Sequence, residues 1–220
     1  MAVFGDRVDG ARAYVELLAT AGIERGLIGP RESGRLWSRH VLNCAVVAEL
    51  VPADARVVDI GSGAGLPGIP LAIARPDCRV DLVEPLERRA AFLAEAVERL
   101  GLTGCRVVRG RAEELAADPG VRGADVVTSR AVAPLGRLVA WSAPLARQGG
   151  VVLALKGTSA SDEVIRDAAQ LRAAGLADVE VIEIGAGIVD PPTWVVRGIV
   201  TAAGPTAGRR ARRPRPRGSR

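Results

Sequence analysis

Aromatic, sulfur-bearing and imidazole side chains are all scarce in this chain. Of 220 residues, 3% are Phe, Trp or Tyr while 48% are hydrophobic, so the core must be built from Ala, Val, Leu and Ile. A single histidine excludes a multi-histidine metal centre. Cys44, Cys78 and Cys105 are odd in number, far apart and without metal-ligand spacing. That pattern fits reduced thiols in the cytoplasm rather than a disulfide framework. No apolar run reaches the ~18 residues that span a bilayer, and "MAVFGDRVDGARAY" lacks a signal-peptide layout. No metal and no membrane association are therefore expected. Lysine is nearly absent too: Lys156 stands alone beside 29 arginines.

The formal net charge is +5, but the final stretch "GPTAGRRARRPRPRGSR" carries seven arginines and no acid. Without it the body is slightly acidic, so the basic character belongs to the tail. An Arg/Pro/Gly run cannot bury apolar surface and is expected to be disordered. It could neutralise nucleic-acid phosphates or be a solvated tail only.

Hydrophobic periodicity divides the rest. "ARAYVELLATAG" places Ala11, Tyr14, Val15 and Leu18 on one helical face. A turn at Gly29-Pro30 follows, and "ESGRLWSRHVLNCAVVAELV" reads as a second helix ending near Pro52. Residues 1–52 are thus a helical extension. From residue 53 to 203 short apolar strands alternate with helices: strands at 56–60, 79–84, 105–109, 124–129, 150–155, 178–184 and 194–202, helices near 67–75, 86–100, 134–146 and 161–174. Such alternation predicts an α/β domain with a largely parallel sheet covered on both faces. The tail, 204–220, is a third segment.

The chemistry starts in "VVDIGSGAGLPGIPLAI", residues 57–73, a strand running through glycines into a helix. A dinucleotide fingerprint, Gly63-x-Gly65-x-x-Gly68, can be laid on it, but alone it is weak. Asp59-x-Gly61-x-Gly63-x-Gly65 is the better description. A carboxylate at Asp59 would repel a pyrophosphate and suit a cation. S-adenosylmethionine carries a sulfonium and an ammonium and no phosphate, so Asp59 favours it over a nicotinamide dinucleotide. Glu84 ends the next strand about 20 residues on, where an acid can accept both ribose hydroxyls of either cofactor. After the third strand, "RGRAEEL" is either a plain helix start or an acid reaching an adenine edge.

Ligands of such sheets lie at the carboxyl ends of the strands, where strand order reverses. The fourth strand ends in "VVTSRAVAP", without the Asn/Asp-Pro-Pro-aromatic pattern of exocyclic-amine methylation. Asp190-Pro191-Pro192-Thr193 reads as a turn. Cys105 and Cys44 are poorly placed as nucleophiles for carbon methylation. An acceptor already nucleophilic remains. Guanine N7 is one, with a lone pair and no proton to lose, so it needs placement and no base; ring-nitrogen and hydroxyl acceptors elsewhere stay open. Arg130 and Lys156 follow the fourth and fifth strands, as site residues or as solvated strand ends. Two other readings are a nicotinamide-dependent oxidoreductase and a non-catalytic RNA-binding module using the tail. Trp37, Trp141 and His40 read as packed residues.

The segments "WSRHVLNCAVVAEL", "VVDIGSGAGLPGIPLAIARP", "LVEPLERRAAFL", "RGRAEEL", "TSRAVAPL" and "LALKG" cover residues 37–157 in order. In them the chain resembles the bacterial 16S ribosomal RNA guanine-N7 methyltransferases, the glucose-inhibited division protein B family. That resemblance implies a class I S-adenosylmethionine-dependent methyltransferase fold, Rossmann-like, with a mostly parallel seven-stranded sheet and a short N-terminal helical extension. It implies 16S rRNA or the small-subunit particle as partner, and we expect a monomer. By motif it places Gly61, Leu66, Ala112, Glu113 and Arg130 at the cofactor, beside Asp59, Gly63, Gly65 and Glu84. Lys156, Arg39 and His40 are the candidate RNA contacts. The chain departs from the family at "RHVLNCA", where Asp-Ser usually follows the apolar pair, at "PPTWVV", and in its arginine tail.

Overall fold

A computed structural model describes residues 3–130 and 132–201; the arginine tail lies outside them. Seven strands, β1 (Arg56–Ile60), β2 (Arg79–Glu84), β3 (Cys105–Arg109), β4 (Ala124–Arg130), β5 (Ala146–Lys156), β6 (Leu176–Ile184) and β7 (Thr193–Val200), form one sheet in the order β3-β2-β1-β4-β5-β7-β6. The pairs from β3 through β5 are parallel, whereas β7 runs antiparallel to both β5 and β6. The sheet is therefore mostly parallel, and each strand expected from alternation is present. β5 and β6 start earlier than the apolar pattern suggests, at buried Ala146 and Leu176, because exposed Arg147, Gln148 and Gly149 in β5 and Asp178 in β6 interrupt that pattern.

Consecutive strand residues feed opposite layers, as a two-residue repeat requires. Val57 and Val126 point into one core and Val58 and Val127 into the other. The first layer holds α3 (Gly68–Ala74) and α4 (Glu87–Arg99), the second α5 (Ala112–Leu115), α6 (Leu135–Ser142) and α7 (Ala160–Ala173). Phe92, Leu93 and Ala96 of α4 are buried, while Val97 at the edge of its apolar stripe is half-covered.

The N-terminal segment completes the first layer. Ala11, Tyr14 and Leu17 of α1 (Val8–Leu17), with Leu36, Val41 and Val47, share one core with β1 and α3. Leu17 takes the inner place expected for Val15, which is half-buried. The second helix is not continuous. Residues 30–50 pass through a 3-10 turn, a π-helical stretch (Leu36–Leu42), a single α turn, α2 (Asn43–Ala45), and another 3-10 turn (Val46–Leu50). Side chains from elsewhere draw its carbonyls out of the helical ladder. Arg130 Nη1 donates to Arg39 O (3.4 Å), Thr193 Oγ1 to Asn43 O (3.1 Å), and Arg75 Nη1 to Ala48 O (3.1 Å) and Val51 O (2.5 Å). Insertions of this kind break a regular i to i−4 pattern.

Tyr14, fully buried, donates its hydroxyl to Ala64 O in the glycine turn at 2.6 Å. Burial holds its phenol well above the usual range, so it stays a donor. Tyr14→Phe leaves that buried carbonyl unpaired. We expect a loss of roughly 1–3 kcal/mol in urea unfolding, read as a lower midpoint with an unchanged slope.

Candidate functional site

Strand order reverses between β1 and β4, so the connections from their carboxyl ends leave on opposite faces and open a crevice. Two buried side-chain atoms without a hydrogen-bond partner among the described residues, Asp59 Oδ1 and Ser129 Oγ, lie toward these two strand ends. Unpaired buried polar atoms are rare and call for an explanation. Their grouping at the switch point is consistent with a ligand site.

The glycine turn is fastened from three sides. Tyr14 holds Ala64 O; Glu84 Oε2 accepts from Gly63 N at 3.0 Å, and its Oε1 from Leu86 N at 2.9 Å. Asp59 Oδ2 accepts from Gly68 N at 3.1 Å. Gly61, Gly63 and Gly65 all have positive φ, 66°, 57° and 96°, the region glycine enters without strain. They are not equivalent. A Cβ on Gly61 would meet Val132 at 2.9 Å, and one on Gly65 would strike Ile69, so both are filled by this chain's own packing. At Gly63 it would meet nothing closer than Gly61 O at 3.7 Å. Gly63 is thus the member of the three with room for a ligand against its backbone. Leu66 is buried in the core, with its N–H on Ser62 O.

Asp59 has a structural role beside the one expected. It is wholly buried, and its bonded oxygen faces the start of α3. Burial pushes its carboxyl up to about 7, so near neutrality it is not a full negative charge. Glu84 is 2% exposed and reaches the same turn from β2. Each of its oxygens has one bond and retains a lone pair for a further donor. Past β3, Gly110 N meets Glu84 O, and α5 begins with buried Ala112 and exposed Glu113.

A cleft of about 830 Å³ opens beside the crevice at the ends of β4 and β5. Its lining includes Arg39, His40, Arg130, Lys156, Asp190 and Trp194. All four cations and imidazoles singled out in the sequence therefore converge, and the Asp190-Pro191-Pro192 turn joins them. Their engagements differ. Arg39 is mostly exposed, its guanidinium 3.7 Å from Glu32. Lys156 is nearly buried; its Nζ donates to Glu163 Oε2 (2.8 Å) and Ala133 O (3.1 Å), leaving one of three N–H groups. His40 has both ring nitrogens occupied within the protein, one by Glu32 and one by Arg130.

Sequence reading missed Glu32, Glu163 and Tyr14. Glu163 Oε2 also accepts from Leu135 N (3.2 Å), and Asp167 Oδ2 from Gly136 N (2.9 Å), so α7 caps the start of α6. Of these only Tyr14 had a usable signal: a lone tyrosine on an apolar face needs a partner for its hydroxyl.

The cysteine thiols are all shifted toward the neutral form. Burial pushes Cys44, which lies near Arg130, up to about 11 and Cys105 up to about 12, and raises Cys78 as well. Among the described residues no group of three or more His, Cys, Asp or Glu could hold a metal, and no helix is long and apolar enough to cross a membrane.

Residues 7–189 match a family described as GidB, rRNA small subunit methyltransferase G. A protein of Rhodococcus jostii named "Ribosomal RNA small subunit methyltransferase G" is 59% identical over 195 residues, 89% of this chain and 86% of that one. Among solved structures, the S-adenosylmethionine-dependent methyltransferase SibL, in its apo form, aligns with a TM-score of 0.60 at 21% identity, over 88% of this chain and 70% of its own. Aeropyrum pernix fibrillarin, with natively bound S-adenosyl-L-methionine, aligns at 0.53 and 19% identity, over 73% of this chain and 75% of its own. At these identities the likeness is one of fold.

The Asp59 carboxyl predicts a pH effect. Its pKa is raised from 3.8 to about 7 in the folded chain, so its contribution to stability is complete below 3.8 and is lost as pH rises through 7. Asp59→Asn keeps an acceptor for Gly68 N and cannot ionise. The stability of the variant relative to wild type should therefore climb between about pH 4 and pH 7, by on the order of 4 kcal/mol at about 1.4 kcal/mol per unit. Chemical unfolding across that range checks it; a pH-independent difference would reject it.

Proposed function

The chain belongs to the rRNA small subunit methyltransferase G family, and from that membership we propose that it methylates N7 of a guanine in 16S rRNA. The methyl donor is S-adenosylmethionine and the substrate class is small-subunit rRNA; the atom and the RNA molecule are the finer part of the reading. What supports N7 is the condition of the thiols. Methylating a pyrimidine carbon requires a nucleophile that first adds to the ring. All three thiols are shifted up from their ordinary value by desolvation, Cys44 and Cys78 buried and Cys105 half-buried. Glu163, a half-buried acid of the cleft, is committed to Lys156 and the start of α6. An acceptor with a free lone pair and no proton to lose fits such surroundings.

The residues at the crevice fit the donor. Gly63 offers open backbone, Glu84 a buried carboxylate with spare lone pairs for ribose hydroxyls, and Ala112 and Glu113 an edge beside Glu84. Once bound, S-adenosylmethionine supplies an electrophilic methyl group on a positively charged sulfur. The chain's own part is placement, which in-line transfer between two bound partners rewards steeply. Arg130, at the border of crevice and cleft, orients the donor side. Arg39, exposed on the cleft rim, is suited to an RNA phosphate. The remaining N–H of Lys156 points the same role at the cleft interior. In this reading the chain acts as a monomer in the cytoplasm, on small-subunit rRNA or its particle.

Mapping of N7-methylguanine in rRNA by chemical cleavage, in cells with and without this protein, should show one 16S guanine losing its mark. An unchanged map would overturn the reading. Glu84→Ala should weaken S-adenosylmethionine binding by roughly 1.5–3 kcal/mol, the scale of hydrogen bonds to a charged group; unchanged affinity by calorimetry would remove Glu84 from the ribose site.

A further inference from the structure

The only histidine of the chain sits between an acid and a cation at the mouth of the cleft. His40 Nε2 is 2.9 Å from Glu32 Oε2, and His40 Nδ1 is 2.7 Å from Arg130 Nη2. A guanidinium has donors only, and an ionised carboxylate has acceptors only. Arg130 must therefore donate to Nδ1, which carries no proton, and Nε2 must carry the proton that Glu32 accepts. One neutral tautomer satisfies both contacts. The imidazolium cannot, because it would set an N–H against the guanidinium.

We propose that Glu32 and His40 are positioning residues for Arg130, a strut that works only with His40 in its neutral Nε2–H form. The proposal rests on the methyltransferase reading, in which Arg130 orients the donor. The strut is built for rigidity. His40 is mostly buried, with 13% of its side chain exposed, and Arg130 is tied a second time through Arg39 O. The groups acting on the ring are Glu32 and Arg39 from its own segment and Arg130 from β4; Arg35 acts on Glu32. On its far side Arg130 acts on Tyr14, Cys44 and Asp59. Burial lowers the imidazole from its ordinary value, the Glu32 hydrogen bond raises it, and the charge of Arg130 lowers it further, for a net lowering. At neutral pH the strut is intact. Acidification protonates His40, breaks its bond to Arg130 and frees the guanidinium.

Because His40 is the only histidine, its ring nitrogens give the only imidazole signals in a ¹⁵N-histidine-labelled sample of the full chain. The expected spectrum at pH 7 is the Nε2–H tautomer, titrating below 6.5, the ordinary value. Arg130→Gln should move the titration up, and Glu32→Gln should move it down. A protonated Nδ1 at pH 7, or a titration that ignores Arg130→Gln, would overturn the strut with no reference to activity. Two substitutions then test what it does. Asparagine places an oxygen acceptor near the Nδ1 position; glutamine reaches Glu32 but offers Arg130 no acceptor there. His40→Asn should bind S-adenosylmethionine within about threefold of wild type, and His40→Gln should bind roughly tenfold or more weakly, as for loss of a hydrogen bond to a charged group. Equal losses in the two would show a structural role only and overturn the positioning role. A wild-type chain with the expected tautomer that bound no S-adenosylmethionine would instead contradict the methyltransferase reading and leave the strut standing.

Discussion

A backbone turn kept bare for a ligand has polar groups that its own residues cannot satisfy, and buried N–H and C=O groups left unpaired are costly. In this protein Ser62 O takes Gly65 N and Leu66 N within the turn, and the rest of that constraint is met from outside it. Tyr14 of α1 takes Ala64 O, Glu84 of β2 takes Gly63 N, and Asp59 of β1 takes Gly68 N. Three elements must dock before the turn has its shape. The N-terminal segment is for this reason part of the site and not an appendage to it.

The same logic extends around the crevice. The loop after β4 brings Val132 against Gly61, and that loop is held by Lys156 through Ala133 O. Lys156 is in turn held by Glu163, which with Asp167 supplies the cap that α6 lacks in its own sequence, where Pro134 precedes the helix. The lone lysine among arginines is thus explained by fit. A compact ammonium can approach a carbonyl and a carboxylate at once inside a nearly buried space, where a planar guanidinium is larger and differently aimed.

The sheet, its strand order of appearance along the chain and the placement of the glycine turn were legible because they repeat locally: apolar strands alternate with amphipathic helices, and glycines mark the turn. The convergence of Arg39, His40, Arg130 and Lys156 was partly legible, since strand ends share one edge of an α/β sheet. What could not be read were interactions whose partners lie far apart. Tyr14 and Ala64 are 50 residues apart, and His40 and Arg130 are 90. Asp59 shows the limit well. Its spacing before the glycines suggests a charge presented to a ligand, but only the folded chain shows it enclosed at the start of α3 and pushed toward neutrality. The second N-terminal helix failed for the same reason: its irregularity comes from Arg75, Arg130 and Thr193 side chains pulling on its carbonyls.

Strand β7, the last made, inserts between β5 and β6. Its first residue, Thr193, bonds to Asn43 O in the N-terminal segment. A nascent chain therefore reaches that point with its opening segment long since synthesised and Asn43 O still lacking this donor. Pairings of such sequence separation form slowly, since loop closure must come first. Stalled or truncated products missing the β7 region would lack the strand between β5 and β6 and the hydroxyl that meets the N-terminal segment.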